Sequence, residues 1–315
     1  MRKIWKPLIA VLAIGLAAFL LYRTLSRYSM DELLAAVAAI PAARLAAAGG
    51  FAAASYLCLS GFDYLALRYV GKPLPYYKAL WASFTSLSIG HNIGLAFLSS
   101  GAVRYRFYTR WGLNAEQVAK VILFCGITVG VGLMVLGGAA LLLRSDLAVE
   151  ITGVSKTIVI VLGIACLALP AIYLTLSAFM RKSLRIWRWE LDMPPLPLAI
   201  GQVIVGSVNF AFVAACLHQA LAAVTDVAYV GVASVYVIAN TTSLISHVPG
   251  GLGVIESVVM YLLPGQDLIG SLLVFRFVYF LIPLCMGIVV FLVTELFYRR
   301  KSNAHAGMTQ APARA

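Results

Sequence analysis

Charge is what this sequence lacks. Only 11% of its 315 residues are Asp, Glu, Lys or Arg, and eight runs hold none: residues 7–22, 45–62, 79–103, 121–143, 157–180, 193–225, 227–255 and 277–294. A soluble domain of this length needs a charged surface, so a water-soluble globular fold is excluded. Cysteine spacing is equally uninformative as chemistry: Cys58, Cys125, Cys166, Cys216 and Cys285 all lie in apolar runs with no CxxC. That pattern supports neither a disulfide framework nor a metal site, and it reads as buried free thiols. No GxxxxGK[ST] occurs, so a nucleotide-driven mechanism has no motif, and no HExxH, GxSxG or paired-carboxylate spacing marks a catalytic centre. No cofactor, metal or nucleic-acid partner is expected.

What the chain has in quantity is apolar residues, 62% of the total, with a mean hydropathy of +0.94. Most of the uncharged runs approach or exceed the roughly 20 residues that cross a bilayer core as a helix. They are rich in Leu, Ala, Val and Ile and show no short alternating strands, so the fold class is an all-α polytopic integral membrane protein. The start, "MRKIWKPLIAVLAIGLAAFLLYR", has a basic flank and an apolar core but no small-x-small cleavage site before "YRTLSRY", which reads as an uncleaved first helix. Residues 1–301 form one membrane bundle, and 302–315 are expected to be a disordered cytoplasmic tail.

The basic residues test topology, because cytoplasmic loops carry the excess of Lys and Arg. If every apolar run crosses once, the two sides carry nearly equal numbers. If instead 79–103 and 227–263 each dip in and return, all of the 24 Lys and Arg fall on the side of the N-terminus except Arg276 and Arg23, Arg27, Arg44, Arg144 and Lys156. The second arrangement is preferred. It predicts six spanning helices, at about 5–23, 44–67, 117–143, 157–180, 196–221 and 268–297, and two re-entrant hairpins, 76–108 and 227–263, with both termini cytoplasmic.

The two interrupted segments resemble each other. Ser86-Leu87 and His91 in "FTSLSIGHNIGLAFLSSGAVRYRF" answer Ser243-Leu244 and His247 in "NTTSLISHVPGGLGVIESVVMYLLP". Gly- or Pro-interrupted segments at matching places in two halves point to an inverted repeat around a shared site, here about 1–143 and 157–301. Broken helix at membrane depth exposes backbone groups that only protein or water can satisfy. Pro249 blocks continuation, Gly250, Gly251 and Gly253 permit a tight turn, and the amides of a helix restarting near Leu252 would favour an anion. His91 and Asn92 are placed at the tip of the first hairpin. Arg104, Arg106, Tyr108 and Arg110 are expected to emerge at headgroup level, where guanidinium groups bind phosphate. Glu256 reads as an intramembrane site or gating residue, and Arg276 either pairs with it or meets a lipid phosphate. Asn209 is expected as inter-helix glue; Asn240, Thr241 and Thr242 cap the break, line the cavity or act as such glue; Gly126, Gly130 and Gly132 form a packing face.

"SGAVRYRFYTRWGL", preceded by "SIGHNIG", together with "HVPGGLGVIE", resembles the membrane region of the lysylphosphatidylglycerol synthetase and flippase family, including its stand-alone members. The resemblance implies a membrane region that flips an aminoacylated phospholipid, with aminoacyl transfer in a separate soluble domain; lysyltransferase activity is therefore not expected of these residues. The residues and the resemblance together suggest a lipid transporter of a bacterial-type inner membrane, moving an anionic or aminoacylated phospholipid or a polyprenyl-phosphate carrier. Arg104 and Arg106 would recruit phosphate, the amides after Pro249 would hold it midway, and Glu256 would bind an ammonium or exchange a proton. His91 and His247 are either packing residues or part of that site. The alternatives are a non-transporting partner that organises anionic lipids or a glycolipid pathway, and an intramembrane enzyme using His91, His247 and Glu256. Homo-oligomers are possible on this reading.

Overall fold

The computed structural model describes residues 30–93, 96–180, 184–186, 189–246, 248–263 and 268–309. A short helix α1 (Met30–Ala39) leads into α2 (Ala42–Tyr69), then α3 (Tyr76–Ile93), α4 (Ala96–Arg110) and α5 (Ala115–Leu143). The short α6 (Ser145–Thr152) and the long α7 (Lys156–Phe179) follow, then a two-stranded hairpin of β1 (Leu184–Ile186) and β2 (Trp189–Leu191) with Leu184 opposite Leu191. The second half runs α8 (Leu196–Leu221), α9 (Tyr229–Ser246), a 3₁₀ turn at Pro249–Gly251, and α10 (Val254–Leu262). Helix α11 (Ile269–Arg276) passes through a π turn, Phe277–Leu281, into α12 (Ile282–Thr309). That last helix runs past Lys301, where a disordered tail was expected to begin.

Among the described residues six helices are long and apolar enough to cross a membrane: Ala42–Tyr69, Ala115–Leu143, Lys156–Phe179, Leu196–Leu221, Tyr229–Ser246 and Ile269–Tyr298. Five of them coincide with predicted spans; the sixth, α9, is the segment read from sequence as the first arm of a hairpin. The predicted span at 5–23 lies outside the described residues. Helix α7 shows the solvent these helices are built for, since Ile158, Val161, Leu162, Ile164, Leu169 and Ile172 are all at least half exposed on it. In water such a surface would be an aggregation site, whereas lipid tails solvate it as well as another helix would.

The two halves repeat one element order with opposite direction. A long helix (28 residues in α2, 26 in α8) is followed by an 18-residue helix (α3, α9), a break, a shorter helix (α4, α10), and a helix of 29 residues in α5 or 30 in Ile269–Tyr298. The equivalent helices α2 and α8 pack against each other along their length: Phe51 stacks on Phe212, Ser55 bonds Asn209, and Cβ atoms built on Gly61 and Gly201 would meet Val205 and Leu65. Rising numbers on α2 meet falling numbers on α8, so the first helices of the two halves are antiparallel. That relation is the one an inverted repeat requires of its first helices.

Small residues set the closest approach, as they must where lipid offers no hydrophobic drive. A Cβ on Gly132 of α5 would lie 2.5 Å from the carbonyl carbon of Gly206 on α8, so these two backbones touch. Gly130, expected on the same packing face, has nothing within 4 Å, and Gly126 is exposed. Of the Gly126–Gly130–Gly132 set, only Gly132 makes the close contact. Asn114 starts α5 with a reciprocal capping box, accepting from Gln117 N at 2.8 Å while its own N donates to Gln117 Oε1 at 3.0 Å.

Helix α3 runs antiparallel to α2, with Tyr64 against Tyr76 at one end and Tyr56 against His91 at the other. Tyr56 stands half-way along α2, so α3 ends near the middle of the bundle. Helix α4 then returns along α3: Ser99 Oγ donates to Gly90 O at 3.4 Å and, near the base, Lys78 lies over the Trp111 ring. Gly94 and Leu95, between these arms, lie outside the described residues. In the second half α10 folds back against α9 after the turn at Pro249–Gly251.

Candidate functional site: the crossing of the two breaks

The tip of α3 meets the break after α9. A Cβ on Gly250 would lie 3.5 Å from His91 O and 3.8 Å from both Asn92 Cα and Arg276 Nη1. Gly250 and Gly251 hold φ of +62° and +59°, a left-handed backbone that costs other residues about 1–2 kcal/mol each. Gly251 is constrained twice, because a Cβ there would also lie 2.2 Å from Ser243 Oγ on α9. The new helix starts at Val254, two residues later than predicted, with Gly253 as its N-cap.

Arg276, 5% exposed, organises the crossing from α11. Its guanidinium holds both oxygens of Glu256, through Nε to Oε1 and through Nη2 to Oε2 at 2.8 Å. Nη1 donates to Gly250 O and Nη2 to Gly251 O, each at 2.7 Å. Glu256 in turn accepts from Gly253 N at 2.9 Å. The anion favoured by the N-terminus of α10 is thus the protein's own Glu256, at the third residue of the helix. This corrects the expectation that the break amides stand open for a phosphate: Gly253 N is spent on Glu256, and Gly251 N donates to Val248 O at 2.9 Å. Of the two partners expected for Arg276, Glu256 is the one it meets in this structure.

Asn92, 8% exposed, donates through Nδ2 to Ser88 O at 2.8 Å and to Phe280 O at 3.4 Å. Phe280 lies in the π turn, where widened hydrogen bonding releases carbonyls from the usual ladder. The His91 ring sits between Tyr56 and Phe280, with centroids 6.4 and 6.5 Å away, and its Nδ1 is buried without a hydrogen-bond partner. Leaving such an atom unsatisfied costs roughly 1–3 kcal/mol, so the crossing keeps an unspent polar contact. Beneath it, Ser55 Oγ donates to Asn209 Oδ1 at 2.8 Å, which makes Tyr279 OH the donor to Ser55 at 2.9 Å. Asn209 therefore acts as the expected glue. Thr241 and Thr242 are both exposed, and Thr242 Oγ1 bonds back to Ile238 O. His247 lies outside the described residues.

A second cluster corrects the reading of Arg104 and Tyr108. Neither reaches a surface: Arg104 is 3% exposed and Tyr108 fully buried. Arg104 pairs bidentately with Asp63 of α2, Nε to Oδ1 at 2.9 Å and Nη2 to Oδ2 at 2.8 Å, and its Nη1 donates to Ser100 Oγ at 3.1 Å. Tyr108 OH donates to Asp63 Oδ1 at 2.6 Å. Ser100, Arg104 and Tyr108 recur every four residues, so one face of α4 carries all three to the same carboxylate. A guanidinium this deep must be neutralised, which is why the motif brings Arg104 inward.

Arg106 and Arg110 lie on another face of α4 and do reach the end of the bundle. Arg106 grips Glu295 of α12 through Nε at 2.9 Å and Nη2 at 2.5 Å, and Arg110 Nη2 joins the same carboxylate at 2.6 Å. Trp111 Nε1 donates to Tyr298 OH at 3.1 Å beside them. Asp63 and Glu295 are not among the residues singled out from sequence, because each borders an uncharged run and marks its end. The signal was there: each is a lone acid inside a predicted spanning helix. Among the described residues no group of His, Cys, Asp and Glu could hold a metal ion.

Six apolar helices long enough to cross a membrane, with a buried Arg–Glu pair where the end of α3 meets the turn after α9, define a polytopic α-helical membrane protein. The chain belongs to the family described as "Lysylphosphatidylglycerol synthase TM region", whose model matches residues 9–287. It is similar to "Uncharacterized protein slr0712" of Synechocystis sp., 31% identical over 304 residues and 94% of each chain. It is also similar to "Inner membrane protein YbhN" of Escherichia coli, 29% identical over 261 residues and 80% of each chain.

Proposed function

We propose that this protein is a non-catalytic lipid transporter of an inner membrane, carrying the headgroup of an anionic or aminoacylated phospholipid, or of a polyprenyl phosphate, past the crossing while the acyl chains stay in lipid. Each broken segment enters and leaves on one face, the first from the cytoplasmic side. The support for this topology is that Lys72, Lys78, Arg106, Arg110, Lys120 and the end of α12 share one end of the bundle, as the positive-inside tendency requires. The carrying observation is the crossing: a buried Arg276–Glu256 pair and an unpartnered His91 Nδ1, where two helix breaks meet. Intramembrane ionisable groups are expensive, and structure alone would be served more cheaply by apolar packing. A headgroup phosphate exchanging with Glu256 would engage Arg276, leaving Glu256 to meet an ammonium.

Reconstitution into vesicles with headgroup-labelled lipids tests this. Chain-containing vesicles should expose inner-leaflet label to an external quencher faster than protein-free vesicles, and His91→Phe, which keeps a ring between Tyr56 and Phe280 and removes the ring nitrogens, should slow that exposure without lowering thermal stability. Equal rates with and without protein, for phosphatidylglycerol, its lysyl ester, phosphatidylethanolamine and a polyprenyl phosphate, would overturn the proposal in favour of a lipid-organising role.

A further inference from the structure

The two arginines at the base of the first hairpin hold more cation than their partner neutralises. Arg106 and Arg110 share the single carboxylate of Glu295, and Lys78 adds a third cation over the Trp111 ring at 5.5 Å. The arginine side chains are 21% and 25% exposed, against 3% for Arg104. A charge exposed enough to meet a headgroup is therefore found here and not in the Asp63 cluster. Aromatic groups frame the site as they do at a membrane interface: Arg110 lies 4.9 Å over the Tyr298 ring, and Tyr105 is 49% exposed.

We infer that the Arg106–Arg110 pair is a binding site for a lipid headgroup phosphate, occupied in this state by Glu295 as an internal substitute. The inference rests on the transport reading for its biological use but not for its chemistry. A carboxylate offers two oxygens, and both already accept from guanidinium N–H groups, at least three in all. A phosphodiester shares one negative charge over two non-bridging oxygens, as a carboxylate does, but adds two ester oxygens on a tetrahedral centre, a closer match to two planar forks. Glu295 also ties α4 to α12, because its partners are on one helix and its backbone on the other. Phosphate binding therefore frees Glu295 and releases the base of the hairpin whose tip carries His91 and Asn92. The same carboxylate works against polyanion crowding at an empty mouth: a ligand binds only where it outcompetes Glu295.

The test is equilibrium binding of short-chain phosphatidylglycerol to the purified full chain in detergent, with short-chain phosphatidylcholine and inorganic phosphate as competitors. Glu295→Gln should tighten phosphatidylglycerol binding by about tenfold, since the internal competitor loses its charge. Glu295→Asp, which keeps the charge but shortens the reach, should fall between, and Arg106→Gln with Arg110→Gln should abolish the gain in either background. Competition by inorganic phosphate identifies the phosphate group alone as the ligand; competition by lipids only identifies a headgroup site. If both Glu295 variants bind phosphatidylglycerol as the wild type does and only lower thermal stability, Glu295 is a structural tie and the inference fails. Binding that follows Glu295 in a protein that moves no lipid would leave this site standing and sink the transport reading; the converse result would do the opposite.

Discussion

The pair at the crossing makes a quantitative demand that a double-mutant cycle can test. Arg276 makes two bonds to the Glu256 carboxylate and one to each of the carbonyls of Gly250 and Gly251. Arg276→Met strands a buried carboxylate and both carbonyls, and should destabilise by roughly 3–5 kcal/mol. Glu256→Gln keeps one acceptor oxygen but turns an amide N–H toward a donor and leaves the Arg276 charge unpaired, so the loss should also be roughly 3–5 kcal/mol. With both substitutions no unpaired charge remains. The double variant should therefore lose less than the sum of the singles, by about 2 kcal/mol. Arg276→Lys should recover little, because one ammonium cannot span a carboxylate and two carbonyls at once. The measurement is reversible unfolding of the full chain in mixed micelles, read alongside thiol labelling of Val248→Cys, which should speed up whenever the break is released. Singles that add to within about 0.5 kcal/mol would refute the clamp. Full rescue by lysine would refute the geometric argument even if coupling survived.

Two glycine comparisons follow from the same geometry. Gly251→Ala must accept both positive φ and a Cβ 2.2 Å from Ser243 Oγ, whereas Gly250→Ala meets nothing closer than 3.5 Å. Both should lower stability, the first by about 1 kcal/mol more than the second, and Ser243→Ala should recover part of that difference in thermal unfolding. In the α5–α8 interface, Gly132→Ala forces a Cβ to 2.5 Å from the Gly206 carbonyl carbon and should cost about 1–3 kcal/mol. Gly130→Ala, facing open space, should be neutral or slightly stabilising; equal effects at the two positions would place the helix contact elsewhere.

The parts of this fold that were legible in the sequence are those governed by one-dimensional signals. Uncharged length located α2, α5, α7, α8 and α11–α12, since bilayer thickness acts on each helix separately. Glycine and proline located the second break within two residues, because positive φ and a missing N–H act on the local backbone. The repeat expected from a few matching residues has a counterpart in helix lengths that no motif encodes, such as the two 18-residue helices. What stayed hidden was pairwise. Arg104 and Arg106 stand two residues apart in one basic motif, yet a helix turns them to different faces, one toward Asp63 and one toward Glu295. Their environments depend on residues 41 and 189 positions away, which no local pattern reports. The same holds at the crossing, where the amides of a restarting helix suggest an external anion until its own Glu256 is seen to fill the role. Sequence can count the cations in a membrane; deciding which of them is free for a ligand requires finding every carboxylate that has already claimed one. In this protein Asp63 and Glu256 claim one arginine each and Glu295 claims two, and of these four the side chains of Arg106 and Arg110 keep about a fifth or more of their surface exposed.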